Sequence, residues 1–182
     1  MIHNLEAIVK LDNIIDKNFI KKMIPFIDHK AKDYLTVTAG LDKKIRNVKG
    51  FHVNNETPTN IFYFNYIKKE IERLYSFYKI KFPAMASSEI NQIDLLKYKV
   101  GGKYDSHIDQ GTPAPRHLSI IMNLNNKYQG GDLVFTDQKQ KEVKRLKLNT
   151  GSIVFFPSNF MYPHGIQPIT KGTRYSIVAW LQ

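Results

Sequence analysis

The stretch Tyr98-Lys99-Val100-Gly101-Gly102-Lys103-Tyr104-Asp105-Ser106-His107-Ile108-Asp109 follows the β-rich run Ile93–Tyr98 and opens a chain of similar runs. His117–Leu124, Asp132–Phe135, Val143–Leu146, Ile153–Phe156 and Tyr175–Leu181 come after it. Turn signals separate them: Gly101-Gly102, Asn125-Asn126, Gly130-Gly131, Thr150-Gly151 and Lys171-Gly172. Short strands punctuated in this way predict a sandwich, jelly roll or barrel.

Upstream, the texture is helical. Phe19, Ile20, Met23, Ile24 and Ile27 form an apolar stripe at helical spacing, with Asp16 placed to cap it. Pro25 is expected to kink or shorten this helix. Ile67, Ile71, Leu74, Tyr75 and Tyr78 share a face of a second helix, and Lys68, Lys69, Glu70, Glu72 and Arg73 fill the other. Both stripes read as core packing. The polar stretch Tyr34 to Thr59 is open between a functional lid and a short hairpin. Helices first and strands afterwards predict helices packed outside a barrel.

The 182 residues suit one domain, and no apolar run is long enough to span a bilayer. The amino terminus lacks the pattern of a secretory signal, so a cytoplasmic location is the default expectation. With no cysteine, thiolate nucleophiles, iron–sulfur clusters and Cys-based zinc sites are excluded, and any metal must take nitrogen and oxygen ligands. The net charge of +11 admits an acidic partner, nucleic acid included, or a lysine-rich solubilising surface. The denser basic stretches, Lys43 to Lys49 and Lys139 to Lys147, lack the interleaved aromatics of a base-stacking platform.

His107-Ile108-Asp109 carries the first chemical signal. Residues i and i+2 of a strand face the same side, so an imidazole and a carboxylate can converge on one ion. The tripeptide alone says little in a chain with six His and sixteen acids. His164, within Tyr162-Pro163-His164-Gly165, is a candidate third ligand or a structural hydrogen-bonding residue. Two His and one carboxylate would leave open positions on Fe(II). Arg174 and Ser176 again lie two apart. A guanidinium turned into a barrel needs an anion, and a ligand carboxylate would supply one; the alternative is an arginine that points to solvent.

Together these residues resemble the prolyl 4-hydroxylase-like branch of the 2-oxoglutarate/Fe(II)-dependent dioxygenases. The resemblance covers Ile93 to Leu181. Besides Tyr98 to Asp109 it includes Arg116-His117-Leu118-Ser119 through Leu124-Asn125, Gly130-Gly131-Asp132-Leu133-Val134-Phe135, Thr150-Gly151-Ser152 through Pro157, and Arg174-Tyr175-Ser176 with Trp180. It implies an α+β fold: a double-stranded β-helix (jelly-roll, cupin-like) core with N-terminal helices packed outside. Residues 1–182 would be one dioxygenase domain, 1–92 the helical support and lid region and 93–182 the catalytic core.

The resemblance also implies roles. His107, Asp109 and His164 would hold Fe(II), and Arg174 and Ser176, with Tyr98, would hold the far carboxylate of 2-oxoglutarate. Some members bind that carboxylate with a Tyr where this chain has Asn123, so Asn123, Tyr98 or Tyr104 would take over. Tyr104, Arg116 and Arg46 are candidates for the substrate pocket, and Trp180 is read as core with the substrate pocket as the alternative. His117 is read as structural, His3, His29 and His52 as outside the pattern, and Asp105 as a turn or rim residue. The loops Thr36–Pro58 and Gln110–Pro115 would frame the site.

The implied reaction consumes O2 and 2-oxoglutarate, releases succinate and CO2 and hydroxylates a protein or peptide, at proline, with ascorbate as a supporting reductant. The alternatives are a nucleic-acid demethylase or small-molecule hydroxylase of the same superfamily, a zinc hydrolase, and a barrel-shaped binding protein without catalysis. A monomer and a homodimer are both admitted, and no membrane partner is expected.

Overall fold

The computed structural model of the chain describes residues 5–32, 42–85, 89–111 and 115–182. His3, the first part of the polar stretch, and the middle of the Gln110–Pro115 loop lie outside the described residues.

A 3-10 turn at Leu5–Ala7 leads into β1 (Val9–Leu11) and helix α1 (Lys17–Lys30). Asp16 caps α1, its carboxylate accepting from the Phe19 N–H at 2.9 Å. The helix runs through Pro25 to Lys30 without a break, against the expected shortening. Phe19, Ile20, Met23, Phe26 and Ile27 are buried on both sides of the proline, so packing holds the axis where one backbone hydrogen bond is missing.

The described part of the polar stretch forms no hairpin with itself. It gives β2 (Arg46–Asn47) and β3 (Lys49–His52), and each pairs with a different sheet. Helix α2 (Pro58–Lys81) follows, capped by Thr57 with proline in the first turn. Its buried residues include Ile67, Ile71, Leu74 and Tyr78.

The remaining strands are β4 (Ile90–Tyr98), β5 (Lys103–His107), β6 (Leu118–Asn123), β7 (Tyr128–Gly130), β8 (Leu133–Thr136), β9 (Glu142–Leu146), β10 (Ser152–Pro157), β11 (His164–Ile166), β12 (Ile169–Gly172) and β13 (Arg174–Leu181). One sheet has the order β1-β10-β6-β13-β4-β3 and a second β2-β5-β11-β8-β9, with β7 and β12 forming a separate pair. Every pairing is antiparallel. This is the α+β double-stranded β-helix. Among the described residues, those before β4 add three strands to its sheets besides helices α1 and α2.

Alternation along the large sheet divides its side chains between two layers. Ile93 and Leu95, Ile120 and Met122, Ile153 and Phe155, and Ile177 and Ala179 pack with the helices. The intervening Leu96, Tyr98, Ile121, Val154 and Phe156 pack toward the second sheet. With both faces covered, these strands read as nearly continuous apolar runs. The buried polar residues that fall on the inward register are therefore few and conspicuous: Asp94, Ser119, Asn123, Ser152, Arg174 and Ser176.

Candidate active site

Strands β5 and β11 run antiparallel with His107 directly opposite His164. Directly opposed residues share a face and lie close, and the two imidazole centroids are 4.4 Å apart. Gly165 permits this approach, since a Cβ there would lie 2.6 Å from the Tyr104 carbonyl oxygen. β5 ends at His107, so Asp109 lies just beyond the strand rather than on it. Its carboxylate still reaches both rings, at 3.4 Å from His107 Nε2 and 3.5 Å from His164 Nε2. One ligand atom from each of the three residues lies within 4.8 Å of the others.

Each ring is oriented from behind. His107 Nδ1 lies 2.9 Å from the Asp105 carbonyl and His164 Nδ1 3.1 Å from the Tyr162 carbonyl. A carbonyl only accepts, so Nδ1 carries the proton and Nε2 presents its lone pair to the centre. Asp105, expected at a turn or rim, is an exposed residue of β5 whose backbone performs this task. Burial pushes His164 down to about 4, keeping the ring neutral near physiological pH. Burial also pushes Asp109 up, but the imidazoles, protonated at low pH, and the Ser119 hydroxyl outweigh it and hold the carboxyl well below the usual range. Ser119 Oγ donates to Asp109 Oδ2 at 2.6 Å and meets Ser158 Oγ at 2.7 Å.

A cavity of about 630 Å³ opens beside this group. Its wall includes Arg174, Ser176, Val178 and Trp180 from β13 and Gln92, Asp94, Leu96 and Tyr98 from β4, both sets at alternate positions. The register pairs Arg174 with Tyr98 at one end and Trp180 with Gln92 at the other, about 20 Å apart at the strand rise.

Arg174 is 1 % exposed, and its guanidinium stands over the Tyr98 ring at 5.3 Å. Its Nε donates to Asn123 Oδ1 at 3.1 Å, while its Nη2 and the Ser176 hydroxyl are buried without a hydrogen-bond partner among the described residues. Unpaired donors of this kind are costly unless a ligand meets them. Asn123, a candidate ligand-binding residue in the sequence, is placed differently. Its amide donates to the carbonyls of Asn125, Leu148 and Asn149, and its oxygen accepts from Arg174 and from the Tyr128 hydroxyl. Its hydrogen-bonding capacity goes to bracing Arg174, and it does not line the cavity.

Tyr104 stacks on His107 at 3.6 Å between centroids, with Arg46 over its other side at 4.6 Å. Arg116 lies 3.8 Å over the Trp180 ring, so Trp180 is a wall residue and not sealed core. His117 stays outside the wall and joins the scaffold through its backbone, while His29 is exposed in the last turn of α1. His52, read as outside the pattern, lines the cavity with Nδ1 2.9 Å from the buried Asp94 carboxylate. The sequence assigns no role to Asp94, Gln92 or Ser119 either. For Gln92 and Asp94 the signal was present, since they precede Leu96 and Tyr98 at period two on one strand.

The donor set fits Fe(II): two neutral imidazoles and one carboxylate on one side of a centre, with the other side open to the cavity. The orphaned Arg174 and Ser176 donors fit a carboxylate anion nearby. Jelly-roll sheets around such a group define the class of protein. Residues 93–182 match the sequence profile of the 2OG-Fe(II) oxygenase superfamily.

The similar proteins include hydroxylases of this superfamily. A PKHD-type hydroxylase of Gloeothece citriformis is 30% identical over 105 residues, which cover 54% of this chain and 46% of that protein. The chain thus spans about half the length of the curated relatives it matches. Among solved structures, a prolyl-4-hydroxylase of Pseudomonas putida superposes with a TM-score of 0.71 at 15% identity, covering 98% of this chain and 95% of that one. A prolyl hydroxylase of Trichoplax adhaerens, solved with a hypoxia-inducible-factor peptide fragment, gives 0.71 at 17% identity over 98% of this chain and 84% of that one. At these identities the structural likeness is one of fold. No helix among the described residues is long and apolar enough to cross a membrane.

Proposed function

We propose that the chain is a 2-oxoglutarate- and Fe(II)-dependent dioxygenase that hydroxylates a protein or peptide at proline, releasing succinate and CO2. The observation that carries this reading is Arg174. It is a buried cation with an unpartnered donor in the same cavity as the His107–Asp109–His164 group.

His107, Asp109 and His164 hold the metal, which when bound supplies the oxidising chemistry of the family with O2. Arg174 and Ser176 would hold the far carboxylate of 2-oxoglutarate, with Tyr98 beside the guanidinium and Asn123 keeping it from turning. Tyr104 and Arg46 flank the metal ligands, and Arg116 and Trp180 form the far end of the wall, where the main substrate enters. The walls exclude water and orient the reactants. A peptide substrate is supported by the relatives: the Trichoplax adhaerens enzyme was solved with a peptide fragment.

The net charge of +11 favours a second reading, a demethylase acting on nucleic acid. Succinate formation from 2-oxoglutarate with Fe(II) separates the two. Stimulation by proline-bearing peptides is expected, and stimulation by methylated oligonucleotides alone would replace the first reading with the second.

A further inference from the structure

The end of the cavity opposite Arg174 carries a hydrogen-bonded chain that the metal and cofactor roles do not use. His52 Nδ1 lies 2.9 Å from Asp94 Oδ1. Gln92 Nε2 faces the same carboxylate at 3.4 and 3.5 Å. Gln92 Oε1 accepts from Arg116 Nη2 at 2.7 Å, and Arg116 Nη1 reaches the Asp109 carbonyl at 3.3 Å.

The order of this chain follows from chemistry. A carboxylate only accepts, so Asp94 turns the Gln92 amide with its NH2 inward and its oxygen toward Arg116. That oxygen, the Asp109 carbonyl and the Trp180 face then hold the guanidinium in one plane. Two donors remain without partners among the described residues, Arg116 Nε and Trp180 Nε1, both buried on this wall. Among the described residues, three guanidiniums and two carboxylates line the cavity. Asp109 belongs to the ligand group and Asp94 is held by His52 and Gln92. Arg116 forms no ion pair with an acid among the described residues. The spare donors and spare positive charge ask for an anionic oxygen.

We infer that His52, Asp94 and Gln92 are positioning residues that lock Arg116, beside Trp180, as a subsite for a carboxylate on the main substrate. The inference rests on the reading of this cavity as an oxygenase pocket and adds the chemical character of its substrate: a peptide or amino-acid derivative that presents a carboxylate to this end.

Trp180 is the single tryptophan of the chain, so its fluorescence reports on the subsite directly. The protein is loaded with Mn(II) and saturating 2-oxoglutarate, which occupies the Arg174 end. It is then titrated with N-acetylproline and, separately, with N-acetylprolinamide. N-acetylproline is expected to bind about tenfold more tightly than the amide, the range for a charged hydrogen bond. Asp94→Asn, whose amide no longer dictates the Gln92 orientation, is expected to abolish that preference while the affinity for 2-oxoglutarate stays within about twofold. Gln92→Met is the second variant, with the same expectation, should Asp94→Asn not fold. Equal affinity for the two probes, no saturable change in fluorescence, or a preference that survives in the folded variants would overturn the inference. Failure of Mn(II) and 2-oxoglutarate to bind at all counts instead against the function proposed above.

Discussion

Arg174 Nε donates to Asn123 Oδ1 at 3.1 Å, and Asn123 is itself tied to three backbone carbonyls. The buried guanidinium is thus aimed by a residue that never touches the cavity. Asn123→Ala should raise the KM for 2-oxoglutarate by about tenfold, the scale of a charged hydrogen bond lost through misplacement. It should also lower stability by about 1–3 kcal/mol, because Arg174 and the carbonyls lose a partner. Steady-state kinetics and urea unfolding read the two effects separately.

Removing the cation has the opposite effect on the ligand-free protein. A buried charge without an acid partner is costly, so Arg174→Met should leave the Tm of the ligand-free protein unchanged or raise it. The same variant should lose the rise in Tm that 2-oxoglutarate gives the wild type with Mn(II). Arg174→Lys should recover little, since an ammonium replaces neither the planar fork nor the bond to Asn123. Thermal scans with and without 2-oxoglutarate test all three statements.

Ser119 stands behind the proposed metal ligands. Its hydroxyl donates to Asp109 Oδ2 at 2.6 Å and contacts Ser158. Ser119→Ala frees the carboxylate to rotate, and metal affinity should fall about 10- to 100-fold. Competition with a chromogenic chelator measures this without any turnover. Unchanged affinity would remove Ser119 from the account.

His52 gives a pH signature. Its hydrogen bond to Asp94 raises its pKa above the usual 6.5, burial opposing. A raised folded-state value means that the pair's stabilising contribution is fully present below the unfolded pKa and is lost as pH rises through the folded one. The stability difference between the wild type and His52→Ala should therefore be largest below about pH 6.5 and shrink above the raised midpoint. Unfolding curves across pH test the sign, and a difference that grows with pH would contradict it.

The sequence made the strands legible because turn signals cut the second half at nearly every boundary. The Ile153–Phe156 run, for instance, widens by one residue at each end to Ser152–Pro157. The metal group was readable because two of its members lie two residues apart and the third follows an apolar strand. Three elements were less accessible. His52 meets Asp94 across 42 residues of chain, through a strand pairing that no local pattern announces. Pro25 was expected to kink or shorten a helix that tertiary packing carries through to Lys30. Asn123 looked like a ligand because it stands where relatives place one, yet its alternatives are decided by the carbonyls of Leu148 and Asn149, which only the folded chain brings near.

One measurement tests the central claim directly, that a single cavity holds the metal through His107, Asp109 and His164 and 2-oxoglutarate through Arg174. It is calorimetric titration of 2-oxoglutarate into the anaerobic Fe(II)-loaded protein, its metal-free form, and Arg174→Met. The account predicts one equivalent bound in the first case and binding weakened by about 100-fold or more in the other two. Equal binding with and without Fe(II), or undiminished binding by Arg174→Met, would contradict it.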